Sequence, residues 1–279
     1  RIATLAWNDF RHLELFYAVA CSGRILHTVN PRLLPEQIAW IINDAGATVL
    51  FAAPEFAPLL AKIAPNLAHV KTVVYMTGTG HMPAASPVPV LAEARCYEQL
   101  LAGERPGFDW PDLDERTSSS LCYTSGTTGH PKGVLYSHRS TVLHAMAAAG
   151  ADVMGVTAMD TVLPVVPMFH VNAWGIPFIV PMTGGKLVLP GRGAGDPATL
   201  GPAVAAAVRE VAPNGRLAVV AVLHEGDART VSAEALLVPN EGISVVSDID
   251  DTVKVTHVTN RARMLAATFL DDFAAVPGM

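Results

Sequence analysis

The chain has 279 residues, of which 51% are hydrophobic and 16% are charged, and its formal net charge at pH 7 is −6. This length allows one large domain or two small ones with a buried core, and the composition excludes an intrinsically disordered chain. Because binding to a nucleic-acid backbone requires clustered basic residues, the acidic balance argues against nucleic acid as a partner.

Residues 1–76 alternate short apolar runs with helical stretches. The runs "IATLAW", "RILHTV", "TVLFAA" and "KTVVYM" predict four strands. Asp9 and Gly23 delimit a predicted helix between the first two strands, Pro35 and Gly46 delimit a second helix, and "PEFAPLLAKIA" predicts a third. This alternation of strands and helices is typical of an α/β fold, with a mostly parallel sheet covered by helices on both faces.

The middle of the chain continues the pattern after an irregular stretch. Residues 77–117 predict loop with one short helix near "VLAEARCYEQLL". The runs "SSSLCY" and "GVLYSH" predict strands on either side of a glycine-rich loop, and "STVLHAMAAAG" predicts the next helix. Residues 161–185 predict a buried strand, loop and helix, in which "TVLPVVP" is the strand, and "GKLVLPG" predicts a further strand.

The amino-acid composition changes at "GRGAGDPATLGP", where glycine and proline cluster. Residues 1–192 contain 13 basic and 14 acidic residues, whereas residues 193–279 contain 6 and 11. A helix is predicted from about 197 to 211, and three successive strands follow within residues 215–250. We therefore expect three parts, namely a domain at 1–192, a junction with a helix at 193–214 and a β-rich segment at 215–279.

Cysteine usage and hydropathy indicate a cellular location. Cys21, Cys96 and Cys122 are widely spaced and form no metal-ligand pattern, which favours a reducing compartment. The longest uncharged run, residues 161–185, contains four prolines and does not have the pattern of a membrane span. The expectation is a soluble, cytoplasmic protein without a transmembrane segment.

The stretch "YTSGTTGHPKG" at residues 123–133 carries the strongest chemical signal. Glycine allows backbone N–H groups to converge on an anion, hydroxyl groups add donors, and a lysine adds a charge that can reach outer phosphates. The spacing is not that of the Walker loop, because Pro131 stands where that loop requires glycine. Composition alone leaves open a flexible surface loop. The candidate phosphate-binding residues are Thr124, Ser125, Gly126, Thr127, Thr128, Gly129 and Lys132.

The ordered string Y-T-S-G-T-T-G-x-P-K-G closely resembles the signature of the adenylate-forming (AMP-binding) superfamily. "RIATLAWNDFRHLELFYAV" and "ILHTVNPRLLPEQIAWIINDAGATVLF" resemble the corresponding parts of fatty acyl-CoA synthetases, and "LPVVPMFHVNAWGIPF" resembles their acyl-pocket segment. The resemblance covers about residues 1–192. It implies ATP binding by residues 124–129 and Lys132, Mg²⁺ and coenzyme A as further requirements, and fatty acid as substrate.

The same resemblance assigns His170 to the acyl channel, which it would gate or line. From the residues alone, a histidine among apolar neighbours is more often a hydrogen-bonded core residue. Three family segments are not found in these 279 residues: a Y-G-x-T-E segment for Mg²⁺, a T-G-D segment for ribose and a C-terminal catalytic lysine. The expectation is thus an incomplete acyl-CoA ligase with little or no turnover.

A second signal lies at "SVVSDIDDTVKV", where three carboxylates follow an apolar run. Close carboxylates repel one another, and a Mg²⁺ ion relieves this repulsion, although a solvated acidic turn explains the residues equally well. The D-x-D-x-T pattern resembles the first motif of haloacid dehalogenase-like phosphatases. Residues 215–279 resemble the catalytic domain of actin-patch-associated phosphatidate phosphatases. The resemblance implies Asp248 as nucleophile, Asp250 as general acid and base, and both as ligands of Mg²⁺.

Three hypotheses about function therefore remain open. The first is an ATP-dependent fatty acyl-CoA ligase fragment. The second is a Mg²⁺-dependent phosphatidate phosphatase fragment with an aspartyl nucleophile, which would have phospholipid as a partner. The third is a non-catalytic fusion that binds nucleotide or lipid.

Overall fold

The computed structural model describes residues 1–124, 131–164, 166–189 and 191, together with two strands at 216–222 and 230–236. It divides into two compact units, Arg1–Ala206 and Ala207–Met279. Within the described residues, no helix has the length and apolar character needed to cross a membrane.

The first unit is built on a seven-stranded sheet with the strand order β5-β4-β3-β1-β2-β6-β7. All neighbouring pairs are parallel except β6 and β7, which are antiparallel. The mostly parallel sheet that the sequence predicts is therefore confirmed. The strands are β1 (Ile2–Leu5), β2 (Leu26–Thr28), β3 (Val49–Ala52), β4 (Thr72–Tyr75), β5 (Arg95–Cys96), β6 (Ser118–Tyr123) and β7 (Gly133–Ser137).

Helices connect these strands, and the first two begin where the sequence predicts, whereas the third begins at Ala57 after a 3₁₀ turn at Pro54–Phe56. The Asp9 carboxylate accepts a hydrogen bond of 2.7 Å from the His12 backbone N–H, and this satisfies one free donor of the first helical turn. Gly46, with φ of 61°, follows the end of the second helix. The helices are α1 (Phe10–Cys21), α2 (Pro35–Asp44), α3 (Ala57–Ile63), α4 (Pro89–Ala92), α5 (Tyr97–Ala102), α6 (His138–Ala148) and α7 (Ile176–Thr183). The 3₁₀ turns are Pro54–Phe56, Ala64–Asn66, Thr79–His81 and Val171–Gly175.

Helices cover both faces of the sheet, and the alternation of side chains along β3 illustrates this. Leu50 and Ala52 are buried in a cluster with α2 and α3, whereas Phe51 packs into a second cluster that contains residues of α1. Successive residues of a strand point to opposite faces, so a strand buried on both sides reads as a continuous apolar run. The prediction of helices on both faces is confirmed.

The irregular stretch between β4 and β6 contains more structure than the sequence predicts. In place of one short helix near residues 90–101, the chain forms α4, the two-residue strand β5 and then α5. Strand β5 extends the sheet by pairing with β4. A two-residue strand is too short to give a period-2 pattern, which is why the sequence does not reveal it.

The remaining strands form two small sheets. Strand β8 (Thr161–Val162) pairs in parallel with β9 (Lys186–Leu187). Strands β10 (Arg216–Val222) and β11 (Thr230–Leu236) form an antiparallel pair, which agrees with two of the three strands predicted there. The third predicted strand, at 242–250, and the helix predicted at 197–211 lie outside the described residues.

Candidate functional site

The glycine-rich stretch lies at the end of the β6–β7 hairpin. Tyr123 pairs with Gly133 across the two strands, and the Thr124 backbone N–H donates to the Lys132 carbonyl oxygen at 3.0 Å. The Lys132 N–H approaches Thr124 Oγ1 at 3.4 Å. The predicted connection of two strands is thus confirmed at both ends. The residues between them, Ser125, Gly126, Thr127, Thr128 and Gly129, lie outside the described part of the chain.

The hairpin end has the position and charge expected for an anion site. Strand β6 runs parallel to β2, so Thr124 follows the carboxyl end of a parallel strand, where open α/β sheets bind ligands. The side chains of Thr124 and Lys132 are both exposed. Among the described residues, no carboxylate lies within ion-pairing distance of the Lys132 ammonium group. The charge of Lys132 is therefore not neutralised by a described neighbour.

A left-handed backbone turn stands beside β6. Four consecutive non-glycine residues, Val171 to Trp174, have φ values between 47° and 54°, and Gly175 follows with φ of 79°. Each non-glycine residue in this conformation costs about 1–2 kcal/mol. Strain of this size persists only where neighbouring interactions hold the backbone, and such places are often functional.

The buried side chain of Asn172 fixes this turn to β6. Its Nδ2 atom donates to Ser120 Oγ at 3.0 Å, and its Oδ1 atom accepts from the Cys122 thiol at 3.4 Å. Asparagine tolerates the left-handed conformation better than most residues. The strained turn is therefore joined to the strand that leads into the glycine-rich stretch.

A cavity of about 400 Å³ lies against the same turn. On one side, His144 of α6 donates from Nε2 to the Trp174 carbonyl oxygen at 3.0 Å. A Cβ atom on Gly175 would lie 2.7 Å from His144 Cδ2, so only glycine allows this close approach. Burial raises the pKa of the Tyr136 phenol, which stays neutral at pH 7. The lining residues are Tyr136, Ser140, Thr141, His144, Val171, Asn172, Trp174, Gly175 and Phe178.

His170 stands at the start of the turn. Its backbone N–H donates to the Pro167 carbonyl oxygen at 2.9 Å, and its own carbonyl accepts from Ala173 at 2.9 Å. Its side chain is exposed and does not line the cavity, to which this turn contributes from Val171 onwards. The predicted role of His170 in an acyl channel stays a prediction.

Asn8 anchors the segment that leads to His170, and no pattern in the sequence predicts this role. This buried side chain donates from Nδ2 to the carbonyl oxygens of Pro164 and Val166 at 2.9 and 3.0 Å. Its Oδ1 atom accepts from the Met168 N–H at 2.7 Å. One amide side chain thus satisfies three backbone groups and holds the segment at the carboxyl edge of β1.

The acidic residues proposed for phosphatase chemistry belong to a part of the chain that the structure does not describe. Asp248 and Asp250 lie outside the described residues, so their roles as nucleophile, general acid and Mg²⁺ ligands stay predictions. In the part of the chain that the structure describes, no group of three or more histidine, cysteine or acidic side chains could hold a metal ion.

Comparison with known proteins gives two family matches. Residues 1–225 match the family described as AMP-binding enzyme. Residues 243–279 match the family described as phosphatidate phosphatase APP1, catalytic domain. The second match spans 37 residues and is shorter than the segment 215–279 in which the resemblance was expected.

Several similar proteins among the curated ones are CoA ligases. The chain is 54% identical over 191 residues to 3-methylmercaptopropionyl-CoA ligase of Ruegeria pomeroyi, covering 68% of this chain and 35% of that protein. It is 52% identical over 191 residues to the medium-chain fatty acid CoA ligase of Ectopseudomonas oleovorans, covering 68% and 34%. The chain therefore spans about a third of the length of these relatives.

Among solved structures, similarity extends to a putative long-chain-fatty-acid CoA ligase from Rhodopseudomonas palustris. The TM-score is 0.57 at 26% identity, and the match covers 67% of this chain and 44% of that chain. This similarity supports the α/β fold, with its mostly parallel sheet, that the sequence predicts and that is described above.

Proposed function

The chain belongs to the family of AMP-binding enzymes, and we propose that it binds ATP at the end of the β6–β7 hairpin as part of an acyl-CoA ligase. The observation that carries this proposal is the pairing of Thr124 with Lys132 at the carboxyl end of a parallel strand. This arrangement brings the two ends of a loop rich in glycine and hydroxyl groups together and leaves a lysine ammonium exposed. Thr124, Ser125, Gly126, Thr127, Thr128, Gly129 and Lys132 are the proposed phosphate-binding residues.

The proposed substrate is a carboxylic acid with an aliphatic chain, such as a fatty acid. The cavity beside the left-handed turn is lined mainly by apolar and aromatic groups, and pockets of this character bind apolar ligands. The names of the relatives refer to methylmercaptopropionyl, medium-chain and long-chain fatty acyl groups, which supports an aliphatic acyl substrate. His170, exposed at the start of the turn, is proposed to contact the entering chain.

The proposed chemistry has two steps. A carboxylate oxygen attacks the α-phosphorus of ATP and pyrophosphate leaves with its electron pair. The thiol of coenzyme A then attacks the acyl carbon and loses its proton to solvent, and a thioester forms as AMP leaves with the electron pair of the broken acyl–oxygen bond. The protein contributes mainly by positioning the reactants and by offsetting charge at the phosphates, and a Mg²⁺ ion would accompany ATP. A cytoplasmic location, where ATP and coenzyme A are available, belongs to this proposal.

We further propose that these 279 residues alone bind nucleotide but do not complete the reaction. The ribose-binding and Mg²⁺-binding segments and the catalytic lysine of the family are not found among them. Interactions made mainly in the transition state affect turnover more than affinity. Weak ATP binding without acyl-CoA formation is therefore expected of this part by itself.

A second candidate function rests on the match of residues 243–279 to a phosphatase catalytic domain. In that proposal Asp248 attacks the phosphorus of phosphatidate and forms an aspartyl-phosphate, while Asp250 protonates the leaving oxygen and then activates the water that releases phosphate. Mg²⁺ would be held by the Asp248 carboxylate and the Asp250 backbone carbonyl oxygen. Phospholipid would then be the partner. A non-catalytic fusion that binds nucleotide or lipid is the third candidate. Phosphate release from phosphatidate that is lost in Asp248→Asn would favour the second candidate.

Calorimetric titration with MgATP tests the first proposal. Removing the ammonium group in Lys132→Ala is expected to weaken binding at least about tenfold, because hydrogen bonds to charged groups contribute roughly 1.5–3 kcal/mol. Lys62→Ala is the matched control, since Lys62 is an exposed lysine of α3 and should not affect binding. Equal affinities for all three proteins, or no binding by the unchanged protein, would contradict the proposal.

A further inference from the structure

Tyr123, the last residue of β6, stands directly before the proposed phosphate-binding loop and is held from several sides. Its hydroxyl group donates to Asp44 Oδ2 at 2.6 Å. Its ring centroid lies 5.1 Å from that of His27 and 6.3 Å from that of Trp40. The tyrosine thus contacts the neighbouring strand β2 and helix α2, two elements that are distant in sequence from the loop.

The opposite strand leaves room for the Tyr123 ring. A Cβ atom on Gly133 would lie 3.2 Å from Tyr123 Cζ and 3.0 Å from Leu121 Cδ1. The ring therefore packs directly over the Gly133 backbone, which is the first residue after Lys132. One aromatic side chain contacts both strand ends from which the loop departs.

Asp44 has no evident role in stabilising its own helix. It is the last residue of α2, where a negative charge interacts unfavourably with the helix dipole. Its described hydrogen bond is the one that it accepts from Tyr123. The placement of a carboxylate at this helix end therefore has its explanation in the bond to the hairpin.

His27 supplies an uncharged surface beneath the tyrosine. The side chain is fully buried, and neither ring nitrogen has a hydrogen-bond partner among the described residues. Burial lowers the pKa of His27 to about 3, so the imidazole is neutral at pH 7 and packs as an aromatic ring. A ring fixed in the middle of the sheet thus limits the positions that the Tyr123 ring can take.

We propose that Tyr123, through its bond to Asp44, is a positioning residue that orders the two ends of the phosphate-binding loop. The inference deepens the proposed function and rests on it for the identity of the ligand. Tyr123 itself need not touch the nucleotide. Its contribution is to hold Thr124 and Lys132 in register, so that less ordering is required when phosphate binds.

A second tyrosine, directly after strand β5, provides the control. The Tyr97 hydroxyl group donates to Glu14 Oε2 at 2.7 Å, nearly the same distance as in the Tyr123 bond. Tyr97 begins α5 and packs in the cluster on the α1 face, whereas Tyr123 packs against the cluster on the α2 face. Tyr97→Phe therefore removes an equivalent bond away from the loop.

Amide hydrogen exchange tests the ordering without any ligand. Tyr123→Phe and Asp44→Ala are expected to raise exchange at the Thr124 and Lys132 amides about fivefold, in line with the loss of one hydrogen bond. Asp44→Asn, which retains an acceptor oxygen, should restore most of the protection. Tyr97→Phe should leave these two amides unchanged. Unchanged exchange in Tyr123→Phe, or an equal increase in Tyr97→Phe, would overturn the proposal.

A measurement of nucleotide affinity distinguishes a positioning role of Tyr123 from a general effect on the stability of the fold. Tyr123→Phe should weaken MgATP binding about fivefold, whereas Tyr97→Phe should leave it unchanged even where thermal unfolding shows a similar loss of stability. An exchange effect without an affinity effect would overturn the role in binding. If the unchanged protein does not bind MgATP, the proposed function fails, and hydrogen exchange still decides whether Tyr123 orders the loop ends.

Discussion

The region from β1 to β4 and the region from β6 to α7 differ in backbone conformation and in how far their apolar side chains are buried. In the first, apolar side chains such as Leu50 and Ile42 are completely buried, and α1 begins at a side-chain cap formed by Asp9. In the second, four consecutive residues have left-handed backbone conformation, and α6 exposes Val142, Leu143 and Met146. Strain and exposed apolar surface are typical of functional regions, so the second region carries the proposed site on the scaffold of the first.

The largest expected effect is a loss of folding stability on acidification, and it arises from two buried histidines of the first region. Burial lowers the pKa of His12 to about 4 and of His27 to about 3, and both side chains are fully buried. Below pH 6.5 these histidines gain protons when unfolded but not when folded, so stability falls as pH falls through this range. At pH 5 the loss amounts to about 2 kcal/mol for each, or about 4 kcal/mol together.

Chemical unfolding between pH 7 and pH 5 measures this effect. His27→Leu removes one of the two buried groups and should reduce the dependence of unfolding free energy on pH by about half. A replacement of an exposed histidine, such as His69→Gln, should leave the dependence unchanged. Stability that is independent of pH over this range would contradict the burial of neutral histidines.

A pair of identical substitutions sharpens the contrast between the regions. Leu50→Ala in β3 removes a side chain with no exposed surface and should cost about 3 kcal/mol of unfolding free energy, since it leaves a cavity. Leu143→Ala in α6 concerns a side chain that is 51% exposed and should cost less than about 0.5 kcal/mol. Similar losses in urea unfolding would mean that α6 is covered and that the comparison is wrong.

Gly175→Ala probes the strained turn itself. The alanine would keep a left-handed conformation, which costs about 1–2 kcal/mol, and its Cβ would displace His144 from the Trp174 carbonyl oxygen. The expected loss of stability is about 2 kcal/mol. Thermal unfolding provides the measurement, with Gly80→Ala as control because nothing lies near a Cβ atom there. A neutral effect of Gly175→Ala would show that the turn adopts another conformation.

The sequence predicts the first region well because its signals are local. Asp9 and Gly46 mark helix ends by rules that depend on a few neighbouring residues, and the apolar runs of β1 to β4 require only that both faces of the sheet are covered. The glycine-rich stretch was also placed correctly between two strands, since its flanking runs are strong strand formers. These features follow from residue type and spacing alone.

The left-handed turn and the anchoring contacts of the second region are not predicted, because they depend on residues that are far apart in the sequence. In "VNAW" valine, alanine and tryptophan ordinarily avoid left-handed backbone, and contacts such as the bonds of Asn172 to Ser120 and Cys122 hold the turn there. Asn8 similarly acts on a segment more than 150 positions away. The bond between Tyr123 and Asp44 joins residues 79 positions apart. Contacts between residues so far apart in the sequence form only when the chain is folded, so local sequence patterns do not predict them.

The most direct test of the proposed nucleotide site is amide hydrogen exchange with and without saturating MgATP. Binding at the hairpin end predicts slower exchange at Thr124, Lys132 and Gly133, with little change at β10 (Arg216–Val222). The same experiment on Lys132→Ala should show weaker protection at equal nucleotide concentration. Protection confined to residues 243–279, or none at the hairpin, would contradict the account.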